Sequence, residues 1–122
     1  MIRSIFLAAS LTVGLVGIAH ADGDAAKGEK VFARCKACHN VDNDQNKIGP
    51  HLSGVMGRKA GTVPDFDYSD ALKNSGITWN EETLTKWLKS PKDDVPGTKM
   101  AFTGLKKDDD IANVIAYLKT KS

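Results

Sequence analysis

The chain has 122 residues, with 17 Lys and Arg against 15 Asp and Glu, a net charge of only +2. That balance excludes the strongly basic surface of a nucleic-acid binder, and the length allows one folded domain and not two. With 26% charged residues and 11 glycines, such a domain has a narrow stability margin, and something other than side chains is expected to help fill its middle.

The first segment, MIRSIFLAASLTVGLVGIAHA (1–21), has the three parts of a secretory signal: Arg3, an apolar run from Ile5 to Ile18, and small residues at Ala19 and Ala21 around a cleavage site. A membrane-spanning helix needs about 20 apolar residues in a row, and this run is shorter and lacks a basic stop-transfer flank. No later segment is apolar enough to span. The expectation is a cleaved leader at 1–21 and an exported, soluble domain at 22–122.

Asp24 is placed to cap a first helix running towards Cys38, with Ala25, Gly28, Val31, Phe32 and Cys35 on one face. Gly28 mid-helix costs about 1 kcal/mol relative to alanine, a sign that another helix crosses close by. Asn40 to Thr62 reads as loop, with turn residues in GPHL (49–52) and GRKAGT (57–62). A short helix is predicted over Tyr68–Asn74, ended by Gly76. Asn80 caps a clearer one that carries Glu81 and Glu82 in its first turn and Leu84, Trp87 and Leu88 on one side, and Pro91 stops it. SPKDDVPGTKMAFTGL (90–105) reads as a second loop. The last helix opens at Lys107-Asp108-Asp109-Asp110 and buries Ile111, Val114, Ile115 and Leu118 at i, i+3, i+4 and i+7. The chain therefore reads as all-α, with four or five helices and loops long enough to wrap a bound group.

Both cysteines fall in RCKACHN (34–40). Cys35, Cys38 and His39 stand at i, i+3 and i+4, so on a helical turn they project to one side. A redox dithiol wants its thiols at a helix N-terminus after a strand, which is not the setting here. A structural zinc wants four ligands, and only His51 offers itself as a fourth. A c-type haem asks for what is present: two thiols for the vinyl groups and an adjacent imidazole for the iron. For the iron's other face, local pattern leaves Met56, Met100 and His51 open, although Met100 in PGTKMAF sits on a long loop turned by Pro96 and Gly97.

RCKACHN, GPHLSGVMGRKAGT, FDYSDALKNSGITW, WLKSPKDDVPGTKMAFTGLKK and IANVIAYLK together resemble a class I cytochrome c, from Gly23 to about Lys119. The resemblance implies that fold around one covalent haem c held by thioethers from Cys35 and Cys38, with His39 and Met100 as axial ligands. It places the Pro50 carbonyl on the His39 ring, Arg58, Tyr68, Trp79 and Thr98 at or beside the haem propionates, Gly28, Phe32 and Tyr117 at a crossing of the first and last helices, and Phe102 near the exposed haem edge. The chain departs from the pattern at His51, where relatives commonly have Asn, and at Trp87, where mitochondrial relatives have Tyr near the ligand sulfur.

An iron with both axial positions filled has no easy place for substrate, so the expected function is one-electron carriage, not catalysis. The partners expected are redox proteins: a donor such as a cytochrome bc complex and an acceptor such as a terminal oxidase or reductase. The expected setting is the periplasm, with the protein a monomer. Arg34, Lys36, Lys47, Lys92, Lys99, Lys106 and Lys107 lie in segments expected to border the haem edge and to steer an acidic partner face. The alternative is a five-coordinate haem sensor or peroxidase-like protein, should Met100 not be a stable ligand.

Overall fold

The computed structural model describes residues 23–122, so the leader expected at 1–21 lies outside the described residues. Its frame is a crossing of two helices, α1 (Ala25–Phe32) and α5 (Asp108–Lys119). The Asp24 carboxylate accepts from the Ala26 and Lys27 amides at 2.8 and 3.1 Å, satisfying donors that a helix start leaves unpaired. The Asp24 amide itself donates to Asn113 Oδ1 on α5 at 2.8 Å. At the crossing Gly28 is buried, and a Cβ there would run into the Asn113 carbonyl and lie 2.9 Å from Tyr117 Cβ. The glycine that weakens the helix is what lets the two backbones meet. Phe32 and Tyr117 pack beside it with ring centroids 5.5 Å apart.

α5 buries Ile111, Val114, Ile115, Tyr117 and Leu118. α3 (Glu81–Lys89) adds Leu84, Trp87 and Leu88 to the same core. It starts on a reciprocal cap: the Asn80 side chain accepts from the Thr83 amide while Thr83 Oγ1 accepts from the Asn80 amide, both at 2.9 Å. The short α2 (Asp70–Lys73) is capped by Ser69, whose hydroxyl accepts from the Leu72 amide.

Three boundaries differ from the sequence reading, the least of them at α2, which starts at Asp70 and not Tyr68 because Ser69 caps it. The first helix closes at Phe32, and the chain continues to Cys38 as turns whose amides bond three or four residues back, Cys35 and Lys36 both to Phe32, Cys38 and His39 both to Cys35. These mixed turns replace the regular helix. Residues 90–105 are not all loop: α4 (Pro91–Asp94) begins directly after α3. Proline ends one helix and starts the next because its fixed φ and missing N–H suit a first helical position.

The rest is loop, chiefly 39–69 and 95–107; among the described residues the one β pairing is an isolated bridge between Lys59 and Thr78. None of their helices is long and apolar enough to cross a membrane. The apolar core is fringed by half-buried residues, among them Cys35, Leu52, Met56, Leu72, Met100 and Phe102. The second loop is pinned back on α3 by the Leu105 amide, which donates to the Leu88 carbonyl at 2.7 Å.

Candidate haem site

Cys35, Cys38 and His39 leave the chain on one turn. The His39 amide donates to the Cys35 carbonyl at 2.9 Å and the Cys38 amide to the same oxygen at 3.1 Å. The two cysteines are half-buried and not joined in a disulfide. Burial pushes the Cys35 thiol above its ordinary value, opposed by the Arg34 charge. It is therefore protected from ionising, the opposite of an activated dithiol.

The His39 ring is held from two sides. Nδ1 lies 2.7 Å from the Pro50 carbonyl oxygen. A carbonyl can only accept, so Nδ1 carries the proton and Nε2 keeps its lone pair for a metal. Behind the ring stands Gly49, where a Cβ would lie 2.8 Å from Nδ1. Gly49 is itself fixed, its amide donating to the Cys38 carbonyl at 2.7 Å. Burial lowers the His39 pKa most; the Pro50 bond works the other way, and the Arg58 and Lys47 cations lower it further. The imidazole is thus neutral at physiological pH, the form that binds metal. Gly49 went unnoticed in the sequence beyond its turn propensity; the signal available was its place directly before Pro50.

A second cluster is tied together through the backbone. The Trp79 amide donates to the Arg58 carbonyl at 2.9 Å, and the Gly57 amide to the Trp79 carbonyl at 2.7 Å. The Arg58 guanidinium donates to the carbonyls of His51 at 2.8 Å and Ser53 at 3.3 Å. Burial depresses its pKa, while Tyr68 and Asp44 counter that effect. Tyr68 is buried, its phenol oxygen accepting from the Val63 amide at 3.1 Å. Arg58, Tyr68 and Trp79 are thereby gathered in one region, whereas Thr98 belongs to the other loop, where its hydroxyl accepts from the Met100 amide at 3.3 Å. Met100 is half-buried against the core, and so is Met56. Trp87 is buried with its ring centroid 5.5 Å from that of Trp79. The His51 ring faces Ser53 and Asp44. Its Nδ1 lies 3.1 Å from Ser53 Oγ and 3.8 Å from Asp44. Among the described residues no three His, Cys, Asp or Glu side chains gather as a metal site, which removes the zinc reading for them.

The family model described as Cytochrome c matches residues 25–122. The chain belongs to the cytochrome c family. It is 55% identical over 104 residues to cytochrome c2 of Rhodomicrobium vannielii, an alignment spanning 84% of this chain and 83% of that one. It is 51% identical to cytochrome c-550 of Bradyrhizobium diazoefficiens over 77% of this chain and 70% of the relative. The solved cytochrome cH from Methylobacterium extorquens superposes with a TM-score of 0.78 at 54% identity, covering 81% of this chain and all of that one. This cytochrome is accordingly a class I, all-α member whose cofactor is one covalent haem c, and an electron-transfer protein rather than an enzyme. The residues present fit that group. Two thiols and a neutral imidazole share one turn, and the imidazole rests in a cradle that a Cβ at Gly49 would fill.

Proposed function

We propose that this cytochrome is a soluble periplasmic one-electron carrier, exported by a leader cleaved after Ala21, that shuttles between a cytochrome bc-type donor and a terminal oxidase or reductase. Haem c supplies one iron that alternates between the ferrous and ferric states. Cys35 and Cys38 would tether it, and His39 Nε2 and the Met100 sulfur would be its iron ligands. Pro50 and Gly49 fix the His39 ring so that the ligand does not rotate between redox states. Arg58, Tyr68, Trp79 and Thr98 supply donors at or beside the propionates, whose burial without partners is costly.

The observation that carries this reading is the His39 ring held at 2.7 Å by the Pro50 carbonyl, with Nε2 left available on the turn that also bears both thiols. The loop bearing Met100 is tied to α3 through the Leu105 amide and is folded on itself by the Val95–Thr98 turn, whose closing bond is 3.1 Å. Thioether ligation favours the ferrous state and raises the potential.

The test is a visible spectrum and redox titration of the matured holoprotein beside its Met100→Ala variant. The wild type should show a sulfur-to-iron charge-transfer band in its oxidised form. The variant should lose that band, and its midpoint should fall by tenths of a volt within the range of about 0.8 V that axial ligands command. A high-spin oxidised spectrum in the wild type would favour an open-iron sensor or peroxidase instead.

A further inference from the structure

Ile48 stands apart from the fold: its residue is 78% exposed, the large apolar exception among the described residues. A single exposed apolar side chain means little by itself. Three features of its setting give it meaning. The turn that presents it is tightly held, with the Lys47 amide donating to the Gly49 carbonyl at 3.0 Å and the Gly49 amide to the Cys38 carbonyl at 2.7 Å. Ile48 is thus fixed one hydrogen bond away from a haem-tethering residue. Second, a cation adjoins it in the chain: Lys47 Nζ donates to the Lys36 carbonyl at 2.7 Å, tying the segment that bears Lys36 to this turn. Third, no described acidic group lies within ion-pair distance of Lys36 or Lys47, whereas Arg34 and Lys99 are partnered by Asp110 and Asp67. The backbone of the turn makes these bonds whatever side chain position 48 carries, so the fold does not account for an isoleucine there.

We propose that Ile48 is the apolar anchor of the docking surface, seating in a recess on an acid-rimmed redox protein while Lys36 and Lys47 pair with the rim. The inference rests on the carrier reading and deepens it by naming what the partner must offer. Division of labour follows from the physics. Charges act over about a Debye length and govern encounter, whereas a desolvated apolar contact near the middle of an interface governs how long the pair stays together. A small transient interface holds few such contacts, so one well-placed isoleucine is a large share. An acidic lipid surface would also welcome an isoleucine between lysines. The redox protein is favoured because the anchor is fixed to the Cys38 backbone, where contact brings a partner to the tethered edge of the cofactor.

The test uses the holoprotein with a purified bacterial cytochrome bc-type complex, and measures both the Kd of the ferric protein for the immobilised complex and electron transfer from quinol. Ile48→Ala should raise Kd and KM about tenfold, leave kcat and the visible spectrum unchanged, and keep the wild-type dependence on ionic strength. Lys36→Gln should instead flatten that dependence. Ile48→Leu should behave as wild type. If Ile48→Ala binds and turns over like the wild type, the anchor is wrong and the carrier reading stands. If the wild type accepts no electrons from the complex, the carrier reading falls and takes the anchor with it. Binding to phosphatidylglycerol vesicles that is lost in Ile48→Ala, with electron transfer untouched, would overturn the proposal in favour of a lipid surface.

Discussion

The two halves of this cytochrome are held in different ways. The α1–α5 crossing is regular: apolar residues repeat at helical spacing, one cap starts α1, and one missing side chain at Gly28 sets the distance of approach. The loop half, 39–69, has almost no repeating bonds. It is tied point by point, by Arg58 to the His51 and Ser53 carbonyls, by Asn46 to the Pro64 carbonyl and by Tyr68 to the Val63 amide. The contrast teaches where each property resides. Stability comes from the crossing, where many small apolar contacts add up. Ligand geometry comes from the loops, where single polar contacts each fix one group.

The same substitution, glycine to alanine, tests that division at its two extremes. Gly28→Ala should be the more damaging to stability. Helix propensity alone favours alanine by about 1 kcal/mol, but the added Cβ meets the Asn113 backbone, which has nowhere to go. Overpacking of this kind should cost roughly 3 kcal/mol net, lowering Tm by about 12 °C or more in a domain of this size, as read by circular dichroism. Gly49→Ala should do the reverse. Its Cβ meets a side chain, the His39 ring, and not backbone, so what shifts is the ring and its bond to Pro50. Urea unfolding should change by about 1 kcal/mol or less, while the Pro50 bond is lost and the midpoint potential and spectrum shift, since partners of a metal-bound histidine weigh heavily on its chemistry. Equal losses of stability in the two variants would break the comparison.

Sequence made the crossing far more legible than the loops, and for a physical reason. Helical periodicity, the Asp24 and Asn80 caps and the acidic first turn of α5 are local signals, and each named its element. What failed were junctions where one residue serves two elements. Pro91 is a stop and equally a start, and beyond Phe32 the regular helix gives way to turns whose amides bond three or four residues back. Within the site, the spacing of Cys35, Cys38 and His39 was readable because they share a turn. The contact of Pro50 with His39 spans 11 residues, and nothing in local composition specifies it; only likeness to a family pointed there. Gly49 shows locally only as a turn residue before Pro50, and the Arg58 bonds to loop carbonyls carry no local pattern at all, since both contacts depend on where a loop returns.

The smallest effect expected is a change with pH, and it lies inside the loop half. Tyr68 is buried in the loop half, and burial raises its pKa above the ordinary 10.0 more than the Val63 bond and the Arg58 charge lower it. Below about pH 10 the phenol keeps its proton in both folded and unfolded chains, and this group adds no pH dependence. As pH rises through the unfolded value, the unfolded chain releases the proton first, so folding loses stability progressively until the raised folded pKa is reached. Tyr68→Phe removes that alkaline loss and also orphans the Val63 amide, a penalty of about 1–3 kcal/mol. The variant should therefore be weaker than the wild type at pH 7 in urea, with the gap narrowing at pH 10.5. A gap constant across that range would mean that Tyr68 is open to water in the native protein, and that the loop half is less tightly closed around it than the Val63 bond implies.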